Sequence, residues 1–178
     1  VVEELRFFDH WLKGIDNQVM DEPPVYYYTY NRPEGQQWRA AEQWPLPSEQ
    51  RTRYYLSADN ALSTSAPTDA QAGDSYTTAY DVTPMNLTEK GLVYATKPLE
   101  ADLEITGHPV AELWVSSTAA DGDFVVTVRD VAPDGTAVSY NTNGRLRASL
   151  RKLDDAPYDN LGLPWHRSYE ADVMPLVP

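Results

Sequence analysis

The chain has no cysteine in its 178 residues. That excludes disulfides, thiolate nucleophiles and cysteine-ligated zinc or iron–sulfur centres. Basic residues are scarce: 14 Lys plus Arg face 27 Asp plus Glu, a formal charge of −13. Such a balance repels phosphate backbones and anionic lipid, so neither nucleic acid nor a membrane surface is an expected partner. No apolar run approaches the roughly 18 residues that cross a bilayer. Histidine occurs three times, as His10, His108 and His166, and no two have the H-x-x-x-H spacing of a zinc site. No metal and no cofactor is expected. No serine lies in a G-x-S-x-G frame, the strained strand-to-helix turn that presents a hydrolase nucleophile. Gly73-Asp74-Ser75-Tyr76-Thr77 comes nearest, and it lacks the second glycine. No catalytic residue is therefore expected in this chain.

What is present is ordinary globular material. Hydrophobic residues make up 42% and charged residues 23%, which argues against disorder. The length suits one domain with a flanking piece. The flanking piece is at the start. In Val1 to Lys13, Leu5, Phe8, Trp11 and Leu12 recur on one face of a 3.6-residue period. Glu3 and Glu4 open the helix, Lys13 closes it, and Gly14 is the expected stop. A helix this short needs something to pack on, and a body of protein outside this chain is the expected partner. Asp21-Glu22-Pro23-Pro24 then reads as a linker into a second region.

That second region is strand-like throughout. Expected strands are Val25–Tyr30, Arg53–Ser57, Ser75–Tyr80, Gly91–Thr96, Leu103–Thr106, Val110–Ser117, Phe124–Val131, Ala137–Tyr140 and Arg145–Leu150. Turn signals separate them, among them Gly107-His108-Pro109, Asp121-Gly122, Pro133-Asp134-Gly135 and Asn143-Gly144. Ser57 to Gly73, rich in Ala, Ser, Thr and Asp, reads as an exposed loop. Phe124, Val126 and Val128 share one face and Val125, Thr127 and Arg129 the other, the alternation of a sheet packed on one side. Many short strands imply an all-β sandwich or barrel. Tyr169 to Met174 alternates again, and the chain ends without a closing strand.

Several residues invite chemistry. Asp121 and Asp123 flank Gly122 and offer oxygens to calcium, but an Asp-Gly turn explains them better. Asp154, Asp155 and Asp159 read first as loop acids. Tyr26, Tyr27 and Tyr28 must point to both faces of a strand, and Trp38, Trp44 and Trp165 sit in loop-like surroundings. Exposed rings either stack on sugars or bury against a neighbouring domain. The choice is thus between a carbohydrate-binding module and a domain docked on another, and the amphipathic helix favours docking.

The run Leu5 to Asn17 (LRFFDHWLKGIDN) resembles a segment of the CocE/NonD serine hydrolases, the acyl-esterase and glutaryl-acylase-like enzymes related to X-Pro dipeptidyl-peptidases. Further stretches are similar in order: Glu22-Pro23-Pro24-Val25, Trp38-Arg39, Trp44-Pro45-Leu46-Pro47, Tyr54-Tyr55-Leu56, Leu92 to Thr96, Glu104-Ile105-Thr106-Gly107, Asp123-Phe124, Asp130 to Gly135, and Gly144 to Ala148. The resemblance implies that residues 1–20 are the terminal helix of an α/β-hydrolase domain with its linker. Residues 21–178 would be a jelly-roll β-sandwich like galactose-binding domains, incomplete at its end. It also implies that the catalytic serine, aspartate and histidine lie upstream, so that this segment packs on the catalytic domain of the same chain. That domain would hydrolyse a small ester or amide, and a homo-oligomer would be possible. His10 belongs to the helix motif and is not the family's catalytic histidine. The connection Val82 to Lys90 is shorter than in some members of the family. On it, Met85 and Leu87 are the candidates for a substrate-pocket wall.

Overall fold

The start of the chain forms the helix its periodicity predicts. In the computed structural model, which describes residues 1–68, 73–78, 91–140 and 142–177, helix α1 spans Val2–Lys13. Glu3 and Glu4 meet the positive end of its dipole, and His10 and Lys13 the negative end. Gly14 ends it in the left-handed region, at φ 69°. Its N–H reaches the carbonyl of His10 at 3.0 Å, and that of Ile15 reaches Asp9 at 3.1 Å. This double bond pattern satisfies the last carbonyls of the helix.

The rest is mostly β, built from small antiparallel pairs. The described chain divides into two compact units, Val1–Glu49 with Thr106–Pro178, and Gln50–Ile105. In the first unit β1 (Val25–Tyr28) pairs with β2 (Trp38–Ala41). Farther along the chain, β5 (Asp123–Thr127) pairs with β8 (Asn143–Arg147), and between them β6 (Asp130–Val131) pairs with β7 (Ala137–Val138). Val128 N–H bonds the Thr142 carbonyl at 2.8 Å, so the two ladders form a single bent hairpin. Its tip is Pro133-Asp134-Gly135, the expected reversal: Gly135 N–H bonds Ala132 and Ala132 N–H bonds Thr136. Gly135 takes φ 85°, which a side chain would oppose. In the second unit β3 (Tyr55–Ser57) pairs with β4 (Ala61–Ser63), and Ala61 bridges Ala95 in parallel.

The core of the first unit lies where the long hairpin returns. Among the described residues, Ala148, Ser149, Asp172 and Leu176 are buried there. After β8 the chain tightens into a 3-10 turn, Ala148–Leu150, and a second such turn is at Glu170–Asp172. Met174 N–H bonds Ser149 and Leu176 N–H bonds Ala120, both at 2.7 Å. The terminal segment is thus laced to the hairpin by its backbone.

Several expectations need correction. Asn143-Gly144 is not a turn but the start of β8, because its partner is the distant β5 and not a neighbouring strand. Trp38 is not in a loop but opens β2. Arg145–Leu150 is strand only to Arg147, since Asp121 captures the Ser149 N–H and turns the chain inward. Tyr169 to Met174 alternates in polarity yet coils, because Asp172 is drawn inside by two cations. Leu103–Thr106 and Val110–Ser117 carry strand composition, but they form no strand among the described residues. A strand needs a ladder partner, which side-chain pattern alone does not supply. Ser75–Tyr80 lies partly outside the described residues, and its described part, 75–78, is not a strand.

Candidate functional site

Helix α1 carries the most unusual surface. Part of its charged side is held by its own chain, while Glu3, Glu4 and Lys13 stay exposed. Arg6 pairs with Glu3 at 2.8 Å and with Glu22 of the linker, and Asn17 Nδ2 donates to the Arg6 carbonyl at 2.7 Å. Glu22 and Glu3 raise the Arg6 pKa, so its charge is fixed. Arg6, Asp9 and His10 are half-buried. The apolar side faces outward: Phe8 is 52% exposed, Trp11 57% and Leu12 77%. Phe7 meets Phe8 edge-on and lies tilted against Trp11, so the rings form one continuous patch. An amphipathic helix normally presents these sides the other way round.

The β1–β2 hairpin is aromatic on both faces, as consecutive tyrosines require. Tyr27 pairs with Arg39 across the strands, and the guanidinium lies 4.9 Å from the ring centre. Trp44 closes on Tyr27 at 5.8 Å and on His108 at 5.8 Å, so Trp44 has ring partners. The other face shows Tyr26, Tyr28 and Trp38.

The remaining candidates serve the fold. Asp121 accepts from Ser149 N–H at 2.9 Å and Ser149 Oγ at 2.7 Å, which holds its carboxyl below the usual range. Asp123 is gripped by Arg147 and Arg145, which lower its pKa to about 2. Neither oxygen set is arranged for calcium, and among the described residues no group of three His, Asp or Glu gathers to hold a metal. Asp154 pairs with Arg167 at 2.8 Å, and Asp159 caps the Leu161 N–H. Trp165 packs edge-on against Tyr158.

The histidines lie on three separate segments. His10 Nδ1 sits 3.3 Å from the Ile15 carbonyl, and His166 Nδ1 3.1 Å from that of Lys152. The Asp74 carboxylate beside Ser75 accepts from Tyr94 Oη at 2.6 Å, and this pushes the tyrosine up to about 12. The second unit holds an open cleft of about 520 Å³ near Tyr54, Ser57, Leu62 and Lys97. Met85 and Leu87 lie outside the described residues.

Sequence reasoning passed over Lys152, Arg167 and Asp172. Asp172 is 3% exposed and bonds Lys152 Nζ at 2.5 Å and Arg167 Nη2 at 2.8 Å. Arg167 and Lys152 lower its pKa to about 2. Nothing local in the sequence marks Asp172 among 27 acids.

The described residues thus define a mostly β chain that carries an exposed apolar helix face. A family model described as the X-Pro dipeptidyl-peptidase C-terminal non-catalytic domain matches residues 17–178, and the chain belongs to that family. It is similar to candidate serine esterases of Mycobacterium bovis and Mycobacterium tuberculosis. Each is 37% identical over 201 residues, covering 99% of this chain and 31% of the relative. The cocaine esterase of a Rhodococcus species is 29% identical over 175 residues, covering 82% of this chain and 30% of that enzyme. The chain therefore spans less than a third of the length of these curated relatives. No solved structure matches significantly.

Proposed function

We propose that this chain is the accessory C-terminal part of a serine hydrolase acting on small esters or amides, and that it docks on the catalytic α/β-hydrolase domain of the same polypeptide. The observation that carries this reading is the open helix face: α1 ties Arg6 to its own linker and leaves Leu5, Phe8, Trp11 and Leu12 exposed. Burying a side chain such as Phe8 or Leu12 is worth about 1.5–3 kcal/mol each, so a covering domain gains a strong contact. The esterase names of the relatives point to the chemistry of that domain. Its serine would form an acyl-enzyme with a histidine as base and an oxyanion hole.

In this reading residues 1–20 belong to the catalytic domain as its terminal helix and linker. Residues 21–178 form the jelly-roll sandwich. The family match starting at residue 17 supports that boundary, and the antiparallel pairs with alternating burial in β5 support the sandwich. Met85 and Leu87 line the substrate pocket wall, and a homo-oligomer is a further assignment of the same reading. The domain acts by positioning: a misplacement of about 1 Å can cost roughly a hundredfold in rate.

The test is labelling of the full-length protein with a fluorophosphonate, followed by digestion and mass spectrometry. A tagged serine upstream of Val1 is expected. A tag on a serine within these 178 residues, or no tag on active protein, would overturn the reading.

A further inference from the structure

We infer that the outer face of the β1–β2 hairpin is a binding site for a neutral saccharide. Trp38 and Tyr28 stand opposite each other in the strand register, and both are exposed. Trp38 is the more open, at 67%. Tyr28 meets Trp38 edge-on at 5.3 Å and Tyr30 at 5.1 Å, and Tyr30 stacks on Tyr140 at 4.7 Å. Four rings from three stretches of chain are thus held in one linked row, so their orientation is set before any ligand arrives.

The row ends in a polar cluster. Asn31 Nδ2 donates to Tyr140 Oη at 2.6 Å and to Asp130 Oδ2 at 3.1 Å, and Tyr140 Oη donates to the same Asp130 oxygen at 3.4 Å. All of these atoms are on exposed ground. A pyranose has matching features: a flat C–H face for an open ring, and a rim of hydroxyls for an amide and a carboxylate. Nucleic-acid bases also stack on such rings, but their phosphates meet Asp130 and a chain of charge −13. An uncharged, hydroxyl-rich ligand fits without that repulsion.

The experiment is calorimetric titration of the full-length protein with soluble cello-, xylo-, malto- and galacto-oligosaccharides up to about 10 mM, a range that captures millimolar binding. At least one should bind saturably. Trp38→Ala should weaken that binding about tenfold or more, Trp38→Phe should hold it within about threefold, and Trp165→Ala should leave it unchanged. If Trp38→Ala lowers the unfolding midpoint, Tyr30→Ala, just outside β1, takes its place with the same expected loss. No binding by the unaltered protein, or binding that survives both alanine variants, would overturn the assignment.

Discussion

Helix α1 shows Phe8, Trp11 and Leu12 to solvent while its charges are tied down. The terminal segment does the reverse, burying Leu176 and the Asp172 carboxylate together. This terminal segment, 167–176, acts as a latch on residues 148–152, and its buried carboxylate is answered within the chain. Lys152 and Arg167 neutralise Asp172, and backbone bonds from Met174 and Leu176 fix the segment on Ser149 and Ala120. In the helix the polar groups are answered and the apolar ones are not. The difference separates two kinds of residue. Those of the latch hold this chain together, and those of the helix face are available to something else. Stability and function should therefore respond to different substitutions.

The latch should give the largest loss of stability. Asp172→Ala leaves two cations facing each other across a buried position, and it should lower the thermal midpoint by about 5 °C or more. Lys152 and Arg167 remain partly exposed, which moderates the loss. Differential scanning calorimetry of the 178-residue chain checks it. Phe8→Ser should change the same midpoint by no more than about 2 °C, because an exposed side chain loses little on replacement.

Acid should find the latch before it finds the helix face. Asp172 and Asp123 are both held at about 2, by Arg167 with Lys152 and by Arg147 with Arg145. A depressed carboxylate stabilises fully above its unfolded value near pH 4 and loses that contribution as pH falls through the folded value. Stability of the first unit should thus be level above about pH 4 and decline toward pH 2. Tyr94, in the second unit, is the opposite case. Asp74 holds its proton to about pH 12, so its contribution is complete below about pH 10 and lost as pH rises toward 12. Denaturant midpoints measured across both ranges check the two signs.

A smaller loss than that at Asp172 is expected at the helix stop. Gly14→Ala puts a side chain at φ 69° with open space around it, so the penalty is backbone strain alone, about 1 kcal/mol. Helical circular dichroism should fall while the latch keeps its protection from hydrogen exchange.

The helix, its Gly14 stop, the Pro133-Asp134-Gly135 reversal and the alternation of Phe124 and Val126 were legible in the sequence because each is a local signal. So was the ordered series of motifs that resembles a hydrolase family. The pairing of β8 with β5 was not legible, and Asn143-Gly144 misled, because a turn signal says nothing about a partner some twenty residues away. Asp172 was hidden for the same reason: its burial depends on Lys152, twenty residues upstream. Trp38 carries no strand signal of its own, because the residue that pairs with it, Tyr28, lies ten positions upstream. That the apolar face of the helix needs a partner outside this chain was legible from its shortness, but the contacts of Glu22 and Asn17 with Arg6 were not, since they join residues eleven and sixteen positions apart.

The most direct measurement pairs stability with activity in one double substitution, Phe8→Glu with Leu12→Glu. The isolated chain should keep its thermal midpoint within about 2 °C, since both side chains are exposed. In the full-length protein the same pair should lower kcat/KM on a small p-nitrophenyl ester by about a hundredfold, as the two domains lose register. Undiminished hydrolysis by the full-length double variant would contradict the assignment of this helix face to the catalytic domain.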